Sequence, residues 1–572
     1  MATPTFAIAC AALYGPLPES AALRPVPVCA GRLGAAGLSP EGAVPGLGRP
    51  GAGTMSTLNG QHVLILGLGL SGLAMARWCA RSGARVTVAD TRAEPPQIAA
   101  LKHELPLARF IGGPFDASLL QEPDLRAVFK SPGLSPLEIA VVADAAQARG
   151  ITVAGELSLF SQALSELRAA RGYQPSVLAV TGTNGKTTVT ALTAQLVQRA
   201  GKTVVMAGNV GPTLLDTLTA RLDADDLPEV WVIELSSFQL DGDTSFEPSA
   251  AALLNITQDH LDWHGSMQHY SRAKANIFGQ RALLVLNRED PAVMGLLSAA
   301  HAMACAGAKR AAAVRIKLQR PQERTYVTFG ADRPTRAGDF GMEEVNGMVW
   351  LVRALDTEES GRKRKGDEPE LHIQRLMPTG ALRIRGRHNA VNALAALALS
   401  LAAGCALGPV LFGLREYRGE PHRLESVGTV NDVEYFDDSK GTNVGATVAA
   451  LSGLGLERRV VVILGGEGKG QDFSPLAPPV SRYARAVLLI GRAAPQLRAV
   501  LEATGVTLRE APSMAQAVAQ ASELAQAGDA VLLSPACASF DMFDNYEHRA
   551  RVFVAAVAEI ANACGRVSEG IS

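Results

Sequence analysis

Three strand–turn–helix beginnings, near His62, Val177 and Arg459, predict an α/β protein with three parallel-sheet domains. The length agrees, because 572 residues exceed what one hydrophobic core organises and domains usually run to roughly 100–200 residues. In the first unit, His62–Leu66 is a short apolar run, Ala74–Ala80 has a helical pattern and Arg85–Ala89 alternates as a strand. In the second, Val177–Val180 feeds a glycine turn and a helix through Arg199. In the third, the run through Leu464 (VVVIL) repeats the theme. The expected divisions are 55–168, 169–418 and 419–572.

Two segments stand apart. Residues 1–54 are rich in Gly and Pro and keep no helical or strand period, so they read as a disordered extension or as sequence ahead of a start at Met55. The stretch near 356–370 (DTEESGRKRKGDEPE) is nearly all charged or turn-forming and reads as an exposed insertion. A nucleic-acid patch at Arg362–Lys365 is disfavoured by the acids on both sides.

Composition excludes several classes. With 54 Lys+Arg against 55 Asp+Glu, the net charge of −1 argues against a broad grip on a polyanion. At 47% hydrophobic and 19% charged residues the chain is a folded globular protein. Seven cysteines without a CxxC pair argue against a disulfide framework or a cysteine zinc site, and suit a reducing cytoplasm. The uncharged run Ala393–Leu414 is broken by Gly404 and Gly408-Pro409, which favours a buried Ala/Leu helix and a turn over a membrane span.

Gly67-Leu-Gly69-Leu-Ser-Gly72 is a GxGxxG between strand and helix, with Asp90 ending the next strand. Its glycines let backbone approach a pyrophosphate, and the acid can bind ribose hydroxyls. Alone, this Rossmann-like unit points to NAD or FAD, or to a tight turn with no ligand. The second loop, Thr181-Gly-Thr-Asn-Gly-Lys186-Thr187-Thr188, has the Gly-Lys-Thr core of a P-loop ATPase. Its backbone amides would cradle phosphates, Lys186 would reach the β/γ oxygens and Thr187 would hold Mg²⁺. Val180 stands where the general pattern has its first Gly.

That form, TGTNGKTT, resembles the Mur ligase family, and the resemblance spreads over almost everything after Met55. Glu234–Leu240 (ELSSFQL), Asp259–Asp262 (DHLD), Tyr270–Lys274, Arg387–Asn392, Pro421–Arg423, Asp438–Asn443, Gly468–Asp472 and Ser534–Ser539 fall in the family's order. Within it, the GLGLSGLA opening, Asp90-Thr91-Arg92 and Ser131-Pro-Gly133 are similar to the D-glutamate-adding member.

The resemblance implies ATP-driven amide formation between D-glutamate and UDP-N-acetylmuramoyl-L-alanine through an acyl phosphate. It also implies two Mg²⁺ ions and no nucleic-acid, membrane or obligatory protein partner. The first domain would bind UDP without a redox cofactor, through Leu70, Ser71, Asp90, Thr91, Arg92, Ser131 and Gly133, while Asn209 meets the sugar-peptide portion. ATP would lie on Gly182, Thr183, Asn184, Gly185, Lys186, Thr187 and Thr188, closed over by Asn392, Arg423, Asp438 and Lys440. Glu234 and His260 would hold the second metal ion. Read alone, His260 is a capping or core histidine; its place in DHLD points to a ligand. Lys274, otherwise a surface lysine, corresponds to a position the family carbamylates with CO₂ into an anionic ligand. Lys469, Thr442, Ser539 and Tyr546 would receive the two carboxylates of D-glutamate. The nearest rivals are a family ligase adding L-alanine or a diamino acid, and a folate polyglutamate ligase.

Overall fold

The computed structural model describes residues 57–243, 245–297, 324–356 and 371–563. The Gly/Pro-rich extension and the charged stretch 357–370 lie outside the described residues. Three sheets follow one another along the chain. The first consists of β1 (His62–Leu66), β2 (Arg85–Asp90), β3 (Arg109–Gly112), β4 (Leu125–Lys130) and β5 (Thr152–Ala154). All are parallel in the order β3-β2-β1-β4-β5. Every residue of β1 is buried, as helices on both faces of a parallel sheet require. The order reverses between β1 and β4, and a crevice at such a switch point is where ligands settle.

The helix after β1 runs Leu70–Arg81, starting earlier than the apolar pattern indicates because the glycine loop itself turns into its first residues. Gly67 takes φ +85°, and a Cβ on Gly72 would lie 2.0 Å from the Gly67 carbonyl oxygen, so only glycine lets helix and strand pack this closely. A Cβ on Gly69 would meet nothing within 4 Å, which leaves its backbone open to a ligand. The helix Glu156–Arg171 leads from this domain to the next and ends at Gly172 in the left-handed conformation. Its Phe160 packs edge-on against Trp231 at 5.2 Å between centroids, an apolar anchor between the two domains.

The central sheet has nine strands: β6 (Ser176–Thr181), β7 (Val204–Gly208), β8 (Val230–Glu234), β9 (Ala250–Leu253), β10 (Leu283–Asn287), β11 (Tyr326–Phe329), β12 (Phe340–Val345), β13 (Met348–Asp356) and β14 (Leu371–Pro378). Their order is β14-β13-β12-β11-β10-β9-β6-β8-β7, parallel except for the antiparallel ribbon β12-β13-β14. The charged stretch 357–370 thus falls between two antiparallel strands. The Ala/Leu run belongs to a core helix, Arg387–Ala402, packed on helix Lys186–Arg199. Gly404 breaks it at φ +75°. Pro409 sits in the first turn of the next helix, Leu407–Glu416, where its missing N–H costs no intrahelical bond. No described helix is long and apolar enough to cross a membrane.

The third sheet joins β15 (Glu425–Val430), β16 (Val433–Asp437), β17 (Val460–Gly465), β18 (Ala484–Ile490), β19 (Thr507–Glu510) and β20 (Ala530–Leu533). Its order is β15-β16-β20-β17-β18-β19, with β15 antiparallel at one edge. The apolar run predicted near Arg459 is β17, buried throughout.

Candidate active site

The P-loop links the C-terminal end of β6 to the helix Lys186–Arg199. It is held from the side: Thr183 N donates to Asn255 O at 2.9 Å, Asn184 N donates to Asn255 Oδ1 at 2.8 Å, and Asn255 Nδ2 donates to Asn184 O at 3.0 Å. Gly185, at φ +83°, lies so near Asn392 that a Cβ would approach Asn392 Oδ1 to 2.8 Å. The predicted nucleotide residue Asn392 therefore backs the loop directly. Lys186 folds over the loop, its Nζ 3.0 Å from Gly182 O and 2.9 Å from Thr183 O. Thr188 is buried on the same helix.

Lys274, on the helix Met267–Ala275, is 1% exposed and donates from Nζ to Gly182 O at 2.8 Å. Its Nζ also lies over the Tyr270 ring, 4.6 Å from the centroid. Tyr270 OH is 2.9 Å from Thr183 Oγ1, which ties this helix to the loop. Burial and the neighbouring Lys186 push the Lys274 ammonium well below the usual lysine range, against the pull of Asp259 and Glu234. Burial lowers Lys186 too, opposed by Glu234 and Asp259.

Glu234 ends β8 and is 1% exposed. Its Oε1 accepts from Asn209 Nδ2 at 2.9 Å, whereas Oε2 is buried without a partner. A buried carboxylate oxygen left unpaired is costly, and a cation is the ordinary remedy. His260 stands at φ +53°, its ring edge-on to Phe238 at 4.7 Å. Burial, partly offset by Asp259, lowers its pKa, and the charges of Lys469, Lys186 and Lys274 act in the same direction, which favours the neutral imidazole with its one free nitrogen lone pair. The donor set of Glu234, His260 and Thr187 fits Mg²⁺ chemistry.

The third domain reaches into this site. Arg423 Nη2 donates to Thr187 Oγ1 at 3.0 Å. Its neighbours His422 and Leu424 take φ +63° and +50°, a strained pair that turns Arg423 toward the P-loop. His422 Nδ1 is 2.6 Å from the buried Asp437 carboxylate, whose hydrogen bond raises the imidazole's pKa. Asn443 and Asn184 exchange side-chain amide hydrogen bonds at 2.9 and 3.2 Å, and Asn443 Nδ2 also points at Asp259 Oδ2, 3.4 Å away. Asp438 is buried, accepts from Ser534 Oγ at 2.6 Å, and is pushed up to about 7 by its burial. Burial and Arg423 lower Lys440, whose Nζ lies 5.4 Å from the Tyr546 ring centroid. Thr442 adjoins Asn443, and a bridge between Glu467 and Ala538 brings the loop of Lys469 beside Ser539.

The first-domain residues form a separate group at the carboxyl ends of β1, β2 and β4. Asp90 accepts from Leu68 N at 2.7 Å and from Arg92 Nη2 at 2.8 Å. Burial alone raises this carboxyl, but the Arg92 and backbone hydrogen bonds prevail and hold it at about 2. Ser131 Oγ is occupied with Gly67 O at 2.9 Å, so it braces the glycine loop. Leu70, Thr91 and Gly133 stand at the open rim, Leu70 being 69% exposed. Asn209, expected at the sugar-peptide portion, is bound to Glu234 and so stands between the two groups. Asn255 and Arg549 escape sequence reading, and Asn443 is read only as part of its motif, without a role, since their partners lie far along the chain. Arg549 is fully buried and donates to Ser439 O at 2.8 Å and Cys537 O at 3.1 Å, clamping the loops that carry Lys440 and Ser539.

Family profiles match all three regions: the MurD-like N-terminal domain over 61–155, the Mur ligase middle domain over 180–400 and the Mur ligase glutamate ligase domain over 422–537. The UDP-N-acetylmuramoylalanine–D-glutamate ligase of Albidiferax ferrireducens is 70% identical over 516 residues, covering 90% of this chain and 99% of its own. The chain belongs to the Mur ligase family. A second Mur ligase, the UDP-N-acetylmuramoylalanine–D-glutamate ligase of Ralstonia nicotianae, is 56% identical over 87% of this chain and 97% of its own. Among solved Mur ligases, MurF from Thermotoga maritima in complex with ADP superposes with a TM-score of 0.51 at 14% identity, over 89% of this chain and 97% of that one. That likeness establishes the shared three-domain fold.

Proposed function

We propose that this Mur ligase joins D-glutamate to UDP-N-acetylmuramoyl-L-alanine while ATP becomes ADP and phosphate, a cytoplasmic step toward peptidoglycan. The observation that carries the reading is the convergence of the third domain on the P-loop, with Arg423 on Thr187 and Asn443 on Asn184. Relatives of that name at 70% and 56% identity support D-glutamate as the amino acid. Among the described residues Cys79, Cys405 and Cys537 are buried free thiols, in keeping with a reducing compartment.

A carboxylate is a poor acyl donor, so the alanyl carboxylate oxygen first attacks the γ-phosphorus, the β–γ bridging bond breaks and ADP leaves. Catalysis of that transfer is mainly alignment and charge neutralisation. Lys186 and Arg423 supply fixed cations at the phosphates, and the loop amides from Gly182 to Thr188 orient them. Thr187, Glu234, His260 and a carbamylated Lys274 would hold two Mg²⁺ ions, which neutralise phosphate and carboxylate charge when bound. For the carbamate, the neutral Lys274 amine attacks the carbon of CO₂, a C–N bond forms, an oxygen takes the π pair and a proton is released. Burial and the neighbouring Lys186, which lower the Lys274 pKa, favour that neutral amine. Lys469, Thr442, Ser539 and Tyr546 would orient D-glutamate for attack on the acyl carbon, and phosphate then departs with its bridging oxygen. The first domain holds UDP through Leu70, Ser71, Asp90, Thr91, Arg92 and Gly133, with Ser131 bracing the glycine loop, while Asp438 and Lys440 flank the nucleotide and Asn392 backs its loop.

Phosphate release with purified protein tests the reading. It should require ATP, the UDP-sugar and D-glutamate together, with no change in nicotinamide absorbance, and L-alanine or a diamino acid should not replace D-glutamate. Equal release with another amino acid overturns it.

A further inference from the structure

Glu156, the first residue of the interdomain helix, is 3% exposed, and the mechanism above gives it no task. Its carboxylate meets polar groups of two domains. From the central domain, Leu215 N donates to Oε1 at 3.0 Å, and the Leu214 amide also faces the carboxylate. These are two of the amides left free where the helix Leu214–Asp223 begins. Asp216 N, another of them, donates to Thr213 Oγ1 at 3.3 Å, and the regular helical bonds begin with Thr217 N on Thr213 O at 3.1 Å. The helix start is therefore completed by a residue from outside its own domain. From the first domain, the Ser71 hydroxyl lies beside the same carboxylate and favours its charged form. Farther along the same two helices, Arg77 pairs with Asp216 at 3.1 Å and Arg81 with Asp223 at 2.6 Å.

The path continues from the start of that helix. The loop before it contains Asn209, whose Nδ2 binds Glu234 Oε1 at 2.9 Å and whose N donates to Glu234 O at 2.8 Å. One carboxylate thus connects the glycine loop, at one end of the substrate, with the loop that orients Glu234, at the other. We propose that Glu156 is a positioning residue that registers the diphosphate-binding loop against the Asn209–Glu234 loop, so that both ends of the UDP-linked substrate are held in one geometry. It touches no reacting atom. The inference rests on the ligase reading, which the wild-type enzyme tests separately: wild type without ligase activity rejects that reading, whereas the variants below judge only Glu156.

Steady-state kinetics and calorimetric binding of UDP-N-acetylmuramoyl-L-alanine decide it. Glu156→Ala should raise KM and Kd for that substrate about tenfold, the scale of one hydrogen bond to a charged group, with KM for ATP and D-glutamate within about twofold of wild type. Glu156→Gln keeps an acceptor for Leu215 N and should restore most of the loss. Ser71→Ala should weaken the same substrate, and combining it with Glu156→Gln should add less than the sum of the two. A merely structural Glu156 would move all three KM values and the melting temperature together, which overturns the proposal. Unchanged affinity for the UDP-linked substrate overturns it as well. If Glu156→Ala fails to fold, Glu156→Met, which fills the space without an acceptor, decides the question by the same two measurements.

Discussion

Lys186 and Lys274 share one acceptor: both ammonium nitrogens lie on the Gly182 carbonyl oxygen, at 3.0 and 2.8 Å. Burial drives Lys274 well below the usual lysine range, and the like charge of Lys186 adds to it. Both shift toward the free amine, Lys274 the further, which is the direction the proposed carbamate requires.

Lys274→Ala should therefore lose activity by about 10²-fold or more, as removal of a charge-stabilising group does. Part of the loss should return with formate or acetate, small enough to enter the space vacated. Turnover assays with and without these acids decide it; full activity in the unsupplemented variant contradicts a ligand role for Lys274.

The asparagine pair should govern closure of the third domain. Asn443→Asp keeps the oxygen that caps Ala446 N at 2.9 Å, but removes the donor facing Asn184 and sets a second carboxylate near Asp259. We expect kcat/KM to fall about tenfold, the equivalent of roughly 1.4 kcal/mol, with the melting temperature nearly unchanged. Calorimetry beside kinetics separates this from simple destabilisation.

Much of this site is legible in the sequence, and the reason is local. Glycine loops, strand ends and short motifs such as DHLD encode backbone turns and donor groups within a few residues. Glu156, Asn443 and Arg549 carry no such signal of their roles. Their partners stand 59, 259 and 110 residues away, so their meaning arises only when sheets from different parts of the chain meet. The ribbon β12-β13-β14 is hidden for another reason. It lies at the far edge of the central sheet, interrupted by a charged stretch that masks the pairing of its strands.

Arg549 gives a stability prediction. Arg549→Met fills the space with an apolar chain but leaves the Ser439 and Cys537 carbonyls unpaired, which should cost about 3 kcal/mol of third-domain stability. The loops of Lys440 and Ser539 should loosen with it, raising KM for D-glutamate. Urea melts that coincide with wild type would contradict the clamp.

Glu156 also makes stability depend on pH. Burial raises its carboxyl from 4.5 to about 7, opposed by the Leu215 and Ser71 hydrogen bonds and assisted by Asp216. An acid whose folded pKa is raised contributes most below its unfolded pKa and loses that contribution as pH climbs to the folded value. Wild type should thus lose stability relative to Glu156→Gln between pH 4.5 and about 7, with a constant gap above. Parallel melting curves across that window would show the carboxyl to be unshifted.

The central claim, ligation through an acyl phosphate, is tested most directly by isotope transfer. UDP-N-acetylmuramoyl-L-alanine carrying ¹⁸O in its alanyl carboxylate is turned over with ATP and D-glutamate, and the products are weighed by mass spectrometry. The account predicts an amide-linked glutamyl product, ADP, and inorganic phosphate that has gained one ¹⁸O per turnover. Phosphate free of label, or its release without the amide product, would contradict it.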